Sequence, residues 1–125
     1  MKEIGLFLIK PDAILQGEKE VAAKRIEDEG LEILIEQLIF FTPELISELY
    51  CDRQDNLSQF WEGYLIPEPS IAMIVEGEVA NEKLTRIKKR LRQEFDHDGF
   101  YTGTHCSDNA TEARRQIKLL FRSDK

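Results

Sequence analysis

The sequence predicts one α+β domain on the ferredoxin-like βαββαβ plan, an antiparallel sheet with helices on one face. Three observations carry that prediction. Short apolar runs at 4–9, 31–41 and 70–75 alternate with amphipathic stretches of helical spacing. Pro and Gly punctuate the boundaries between them. At 125 residues, the chain can bury one sizeable core but not two.

The elements follow in order. Residues 4–9 (IGLFLI) read as a strand buried on both faces and closed by Lys10-Pro11. Residues 13–28 set Val21, Ala22, Ala23 and Ile26 among charges at helical spacing, and Gly30 stands where that helix ends. Residues 31–41 (LEILIEQLIFF) read as a long second strand, with a helix as the rival because Leu and Glu are good helix formers. Thr42-Pro43-Glu44 is a helix start, with a hydroxyl cap, proline at the first helical position and an acid in the first turn. That helix runs to about Tyr50, and residues 56–66 form another, stopped by Pro67 and Pro69. Residues 70–75 (SIAMIV) are the third buried strand, and 82–95 are a basic amphipathic helix. Asp96-His97-Asp98-Gly99 is a turn, so His97 is set aside as a catalyst. Residues 100–104 form a short fourth strand, and 110–121 the last helix, with Asn109 and Glu112 at the spacing of a capping box. Setting aside the two middle helices and the last one leaves βαββαβ.

Composition narrows the function. Hydrophobic residues at 42% and charged residues at 33% are ordinary for a globular domain. A net charge of −7 and a pI near 4.9 oppose non-specific nucleic-acid binding but not a nucleotide ligand in a locally basic site. Cys51 and Cys106 are too few for a disulfide framework and lack metal-type spacing. Glu3 and the Lys-Pro-Asp break leave no signal-peptide core, and no apolar run approaches the roughly 20 residues that span a bilayer. The expectation is a soluble, cytoplasmic protein with neither membrane nor nucleic acid as partner.

Three places could carry chemistry. Lys10 follows a buried strand and is stiffened by Pro11, which suits a fixed positive charge for a phosphate; it also suits a lysine marking where the strand reaches water. His105 lies between a short strand and the start of a helix, where backbone N–H groups and the dipole favour phosphate. Its neutral nitrogen is a nucleophile for reversible phosphoryl transfer, while the bland alternative is a polar loop histidine. Arg86, Lys88, Lys89, Arg90 and Arg92 could clamp phosphates, or be a solvated helix face.

These signals line up with one family. Ile9-Lys10-Pro11-Asp12-Ala13 resembles the I-K-P-D-A that ends the first strand of nucleoside diphosphate kinases. Pro69 through Gly77 (PSIAMIVEG) resembles the family's third strand, and Glu48-Leu49-Tyr50 the H-Y pair of its middle helix. His105-Cys106-Ser107-Asp108-Asn109, with Glu112-Ala113 and residues 117–121, is similar to its H-G-S-D-S segment and last helix. The matches keep the family's order over nearly the whole chain.

The resemblance implies ping-pong transfer of a γ-phosphoryl group from a nucleoside triphosphate to a diphosphate through a phosphohistidine, assisted by Mg²⁺ held mainly by the nucleotide phosphates. Carried over by position, His105 is the acceptor, Lys10 steadies the phosphate, and Ser107 is the serine beside the histidine. Tyr50 lies near the phosphates, Arg86 contacts the diphosphate after a one-residue slip, and Phe60 stacks on the base. Thr102 takes the place of the family's asparagine. The segment between Arg86 and His105 is shortened and lacks the T-N-P and P-G-T-I-R-G-D-F motifs, so Arg90 or Arg92 is the candidate replacement for a missing arginine. Gln116 stands where the family has a glutamate that orients the histidine, and Cys106 where it has glycine. The expected activity is nucleoside diphosphate kinase; the alternative is a nucleotide- or partner-binding domain of the same fold with little turnover. Family members pair through a sheet edge and stack through the loop that is shortened here, so a homodimer is expected, with a higher oligomer as the alternative.

Overall fold

A computed structural model describes residues 2–49, 68–95 and 103–121. Its elements are β1 (Lys2–Ile9), α1 (Pro11–Leu15), α2 (Glu18–Asp28), β2 (Glu32–Ile39), α3 (Pro43–Leu49), β3 (Ser70–Glu78), α4 (Ala80–Glu94), β4 (Thr104–Cys106) and α5 (Ala110–Leu120). The strands form one antiparallel sheet in the order β2-β3-β1-β4. This is the ferredoxin-like plan. The expected helix over 56–66, the turn at 96–99 and the start of the fourth strand lie outside the described residues.

Strand alternation sorts the core into two layers. Phe7, Ile9, Met73 and Val75 face α2 and α4, where Ala22, Ile26, Leu84, Ile87 and Leu91 complete a buried cluster. Leu6, Leu8 and Ala72 face the other way and pack on Ile46 and Leu49 of α3 and Leu120 of α5. The two crossover helices share one face, as the plan requires; α3 and α5 cover the second. The physical reason is in β1 itself, whose apolar residues run without a polar gap from Leu6 to Ile9, so neither face can be left to water. The expected helix over 13–28 is divided at Gly17, which takes φ 78, a left-handed conformation that costs glycine little. The Thr42 and Asn109 caps form as read: Thr42 Oγ1 accepts the Leu45 N–H at 3.1 Å, and Asn109 Oδ1 the Glu112 N–H at 2.8 Å.

A polar staple locks the end of the sheet to α4. The Ser107 N–H donates to the Leu6 carbonyl at 3.1 Å, and Ser107 Oγ accepts the Leu6 N–H at 2.9 Å. That hydroxyl donates in turn to Asn81 Oδ1. Asn81 completes the network by donating its backbone and side-chain N–H groups to Glu3 Oε1 at 2.9 and 3.0 Å, and to the Ile4 carbonyl at 2.9 Å. Buried donors and acceptors of this kind are costly to orphan. The sheet and α4 also meet closely at Gly5, where an added Cβ would lie 2.7 Å from Leu84 Cδ1 and 3.1 Å from Asn81 Oδ1. On the outer side of the same helix Arg25 of α2 forms a fork with Glu94, which holds that carboxyl below the usual range; being exposed, the pair adds little beside the core.

Gly5→Ala should therefore lower stability by about 1–3 kcal/mol, since Leu84 is buried and has nowhere to move. Urea denaturation checks it, and an unmoved midpoint would show that α4 rides freely over the sheet. Ser107→Ala should cost about 1–3 kcal/mol by leaving the Leu6 N–H and Asn81 Oδ1 without the hydroxyl. If that variant melts like the parent, the staple is not what holds β4.

Candidate active site

The sequence places His105 in the connection before the last helix; the structure places it inside β4, opposite Leu8 of β1. A three-residue strand is too short to show a period, and the expected strand ends at 104 where β4 runs on to Cys106. Alternation sends Thr104 and Cys106 towards α4 and turns His105 to the face covered by α3 and α5. The strand is closed on the other side of the histidine by the Lys10 N–H, which donates to the Gly103 carbonyl at 2.8 Å. Lys10 is extended (φ −81, ψ 166), so alternation past Leu8 carries it to the same face as His105. It is 2% exposed, which corrects the picture of a lysine simply reaching water.

The half-buried imidazole has a defined partner. His105 Nε2 lies 3.2 Å from Gln116 Oε1, and Gln116 is buried in the second turn of α5. Gln116 Nε2 donates to Glu112 Oε1 at 3.4 Å. A carboxylate only accepts, so the amide turns its NH₂ to Glu112 and its oxygen to the ring. In the neutral ring the proton then sits on Nε2 and the lone pair on Nδ1. Arg115 anchors this helix face. Its Nη2 pairs with Glu112 Oε1 at 3.0 Å, while Nη1 and Nη2 donate to the Glu48 and Leu49 carbonyls at 2.9 and 3.2 Å.

The basic helix divides into two faces. Arg86 is exposed and pairs with Glu82 of its own helix at 3.1 Å and with Glu29, just past the end of α2, at 3.8 Å. Arg90 is exposed beside Glu94. Arg92 lies on the inner face: its Nη2 donates to the Thr104 carbonyl at 3.4 Å, next to the histidine. Of the two candidate replacements, Arg92 is the one brought to β4. Thr85 shares that face and meets Cys106 Sγ at 3.6 Å. Burial pushes the Cys106 thiol pKa up, against the smaller opposite pull of Lys88. Ser107 is wholly buried in the staple, so what it offers the histidine is position. Tyr50, Phe60 and Thr102 lie outside the described residues. The part played by Glu112 and Arg115 is visible in the sequence only as helical spacing, Glu112 one turn before Gln116 and three residues before Arg115.

Among the described residues no group of His, Cys, Asp and Glu could hold a metal ion, and no helix is long and apolar enough to cross a membrane. The family model described as nucleoside diphosphate kinase matches residues 3–125. The nucleoside diphosphate kinase of Pyrococcus abyssi (strain GE5 / Orsay) is 30% identical over 98% of this chain and 86% of its own. The structure of the Aquifex aeolicus nucleoside diphosphate kinase superposes with a TM-score of 0.83 at 26% identity, covering 95% of this chain and 94% of that one. A halophilic nucleoside diphosphate kinase from Halobacterium salinarum, solved in complex with CDP, superposes at 0.80 with 23% identity, over 99% and 90% of the two chains, and shares the fold. The match runs from end to end and takes in the strand that carries His105: this chain belongs to the nucleoside diphosphate kinase family of phosphotransferases.

Proposed function

We propose that His105 is the residue through which this chain moves a phosphoryl group from a nucleoside triphosphate to a nucleoside diphosphate. The observation that carries the reading is the contact from His105 Nε2 to Gln116 Oε1. It supports Nδ1 as the nucleophile, because the ring proton is engaged on the other nitrogen. The Nδ1 lone pair attacks the γ-phosphorus, the bond to the β-phosphate oxygen breaks, and the nucleoside diphosphate leaves with that oxygen. Positive charge that develops on the ring is met at Nε2–H by the Gln116 carbonyl oxygen. A β-phosphate oxygen of the second diphosphate then attacks phosphorus, the N–P bond breaks, and the neutral histidine returns.

Lys10, buried at the strand end beside this face, fits the role of steadying the transferring phosphoryl. Arg92 fits that of the phosphate-binding arginine for which the shortened segment has no counterpart. Tyr50, Phe60 and Thr102 complete the nucleotide set by the family resemblance alone. Mg²⁺ fits as an ion carried on the nucleotide phosphates, where it would neutralise their charge. The unbridged thiol of Cys106 accords with a reducing, cytoplasmic setting.

Assembly belongs to the same reading. β2 forms an edge of the sheet and exposes Leu34, Ile35 and Leu38, and Phe40 just beyond it is 69% exposed. Soluble monomers seldom leave such an edge bare, and a C₂ dimer is the commonest way to close one.

Incubation with ATP radiolabelled at the γ-phosphate should leave an acid-labile, base-stable label that a nucleoside diphosphate removes. His105→Ala should abolish it; a label that persists in this variant assigns the chemistry elsewhere. Sedimentation at micromolar concentration should give a dimer mass. A monomer mass would overturn the edge argument, and a hexamer would show the shortened loop to be dispensable for assembly.

A further inference from the structure

A glutamine is an ambiguous partner for a histidine, because its amide can present either an acceptor or a donor. A flipped Gln116 would offer NH₂ to Nε2, force the ring proton onto Nδ1 and remove the lone pair from the nitrogen that the proposed reaction uses. The two orientations are nearly the same shape, so packing alone does not choose between them. Something must break the tie, and among the described residues Glu112 is a charged group seen to bond the amide. Glu112 Oε1 takes the Gln116 Nε2–H, and the flipped amide would bring carbonyl oxygen against that carboxylate instead. Glu112 is itself held by two neighbours, Asn109 and Arg115. Its backbone N–H is bound by the Asn109 cap, and its carboxylate by Arg115 Nε and Nη2 at 3.2 and 3.0 Å. Arg115 is fixed in turn on the Glu48 and Leu49 carbonyls at the end of α3.

We infer that Glu112 is a positioning residue for the reaction, acting through Gln116 to set the tautomer of His105. The relay runs Glu112 carboxylate, Gln116 amide, His105 ring, and it restores by one intervening amide the negative charge that direct contact with a carboxylate would give. The charge acts at longer range than in direct contact, so its main effect is on which nitrogen carries the proton. The inference rests on His105 as the phosphoryl acceptor only for its catalytic consequence; the tautomer itself is a property of the resting protein.

Nitrogen-15 NMR of the ring, recorded well above the ordinary imidazole pKa of about 6.5, reads the tautomer directly, with His97→Asn used to assign the His105 signals. The wild-type chain should show Nε2–H. Glu112→Gln, which keeps the shape but can turn either way, should mix the two tautomers and slow phosphoenzyme formation on the order of tenfold, as for other residues that orient a reactive ring, with KM for nucleotide little changed. Arg115→Gln removes the tie to α3 but leaves the carboxylate, so the ring should stay Nε2–H. In a Gln116→Glu chain, where a carboxylate meets the ring directly, adding Glu112→Gln should no longer alter the tautomer. An unchanged tautomer in Glu112→Gln, or an Nδ1–H ring in the parent, would overturn the relay. A tautomer that responds as expected in a chain that takes up no label at His105 would leave the relay standing and reject the phosphohistidine.

Discussion

Everything at the candidate site depends on the pairing of β4 with β1. Among the described residues β4 is only three residues long, and a strand so short carries little stability of its own. It is kept in register by its ends: the Lys10 N–H closes on Gly103, and Ser107 closes on both polar groups of Leu6. Those two clasps use residues from the family-like motifs at either end of the chain, Lys-Pro-Asp and His-x-Ser-Asp. A register slip of one residue would turn the imidazole from the α3/α5 side into the α4 core and bring Cys106 or Thr104 out in its place. The staple through Asn81 and Glu3 makes such a slip expensive, since it would strand several buried polar groups at once.

The sheet beneath is apolar on both sides, and this sets the division of labour between helices. α2 and α4 seal one face with the larger cluster and contribute most of the packing. α3 and α5 seal the other with a smaller one, leaving room at the strand ends for Lys10, His105 and Gln116. The electrostatics follow the same partition. On α4, Glu82, Arg86 and Glu94 form exposed pairs within the helix or with α2, which contribute little; of the arginines read as candidates, Arg92 is the one whose side chain bonds β4.

The scaffold is legible in the sequence because its signals are long or redundant. Residues 4–9 and 70–75 are unbroken apolar runs, and α4 repeats its period over four turns; both survive small errors of boundary. The caps at Thr42 and Asn109 are local chemistry and readable as such. The histidine's setting is harder. β4 is too short to show alternation, so His105 reads as a loop residue, and its neighbour Leu8 lies almost a hundred positions away. Arg86 is hard to place from the sequence because a single-residue slip on a helix turns a side chain by about 100°. Gln116 is found by position, but its orientation depends on Glu112, whose spacing also serves an ordinary helix cap.

Cys106 gives this architecture an internal reporter. Its thiol is 3% exposed, lies next to His105 on β4, and is made less acidic by burial. Alkylating reagents need an exposed thiolate, so Cys106 is shielded for as long as β4 stays on β1. Its slow modification would time the opening of the edge strand itself, and nucleotides that tighten the site around the histidine would lengthen that time without touching the sulfur.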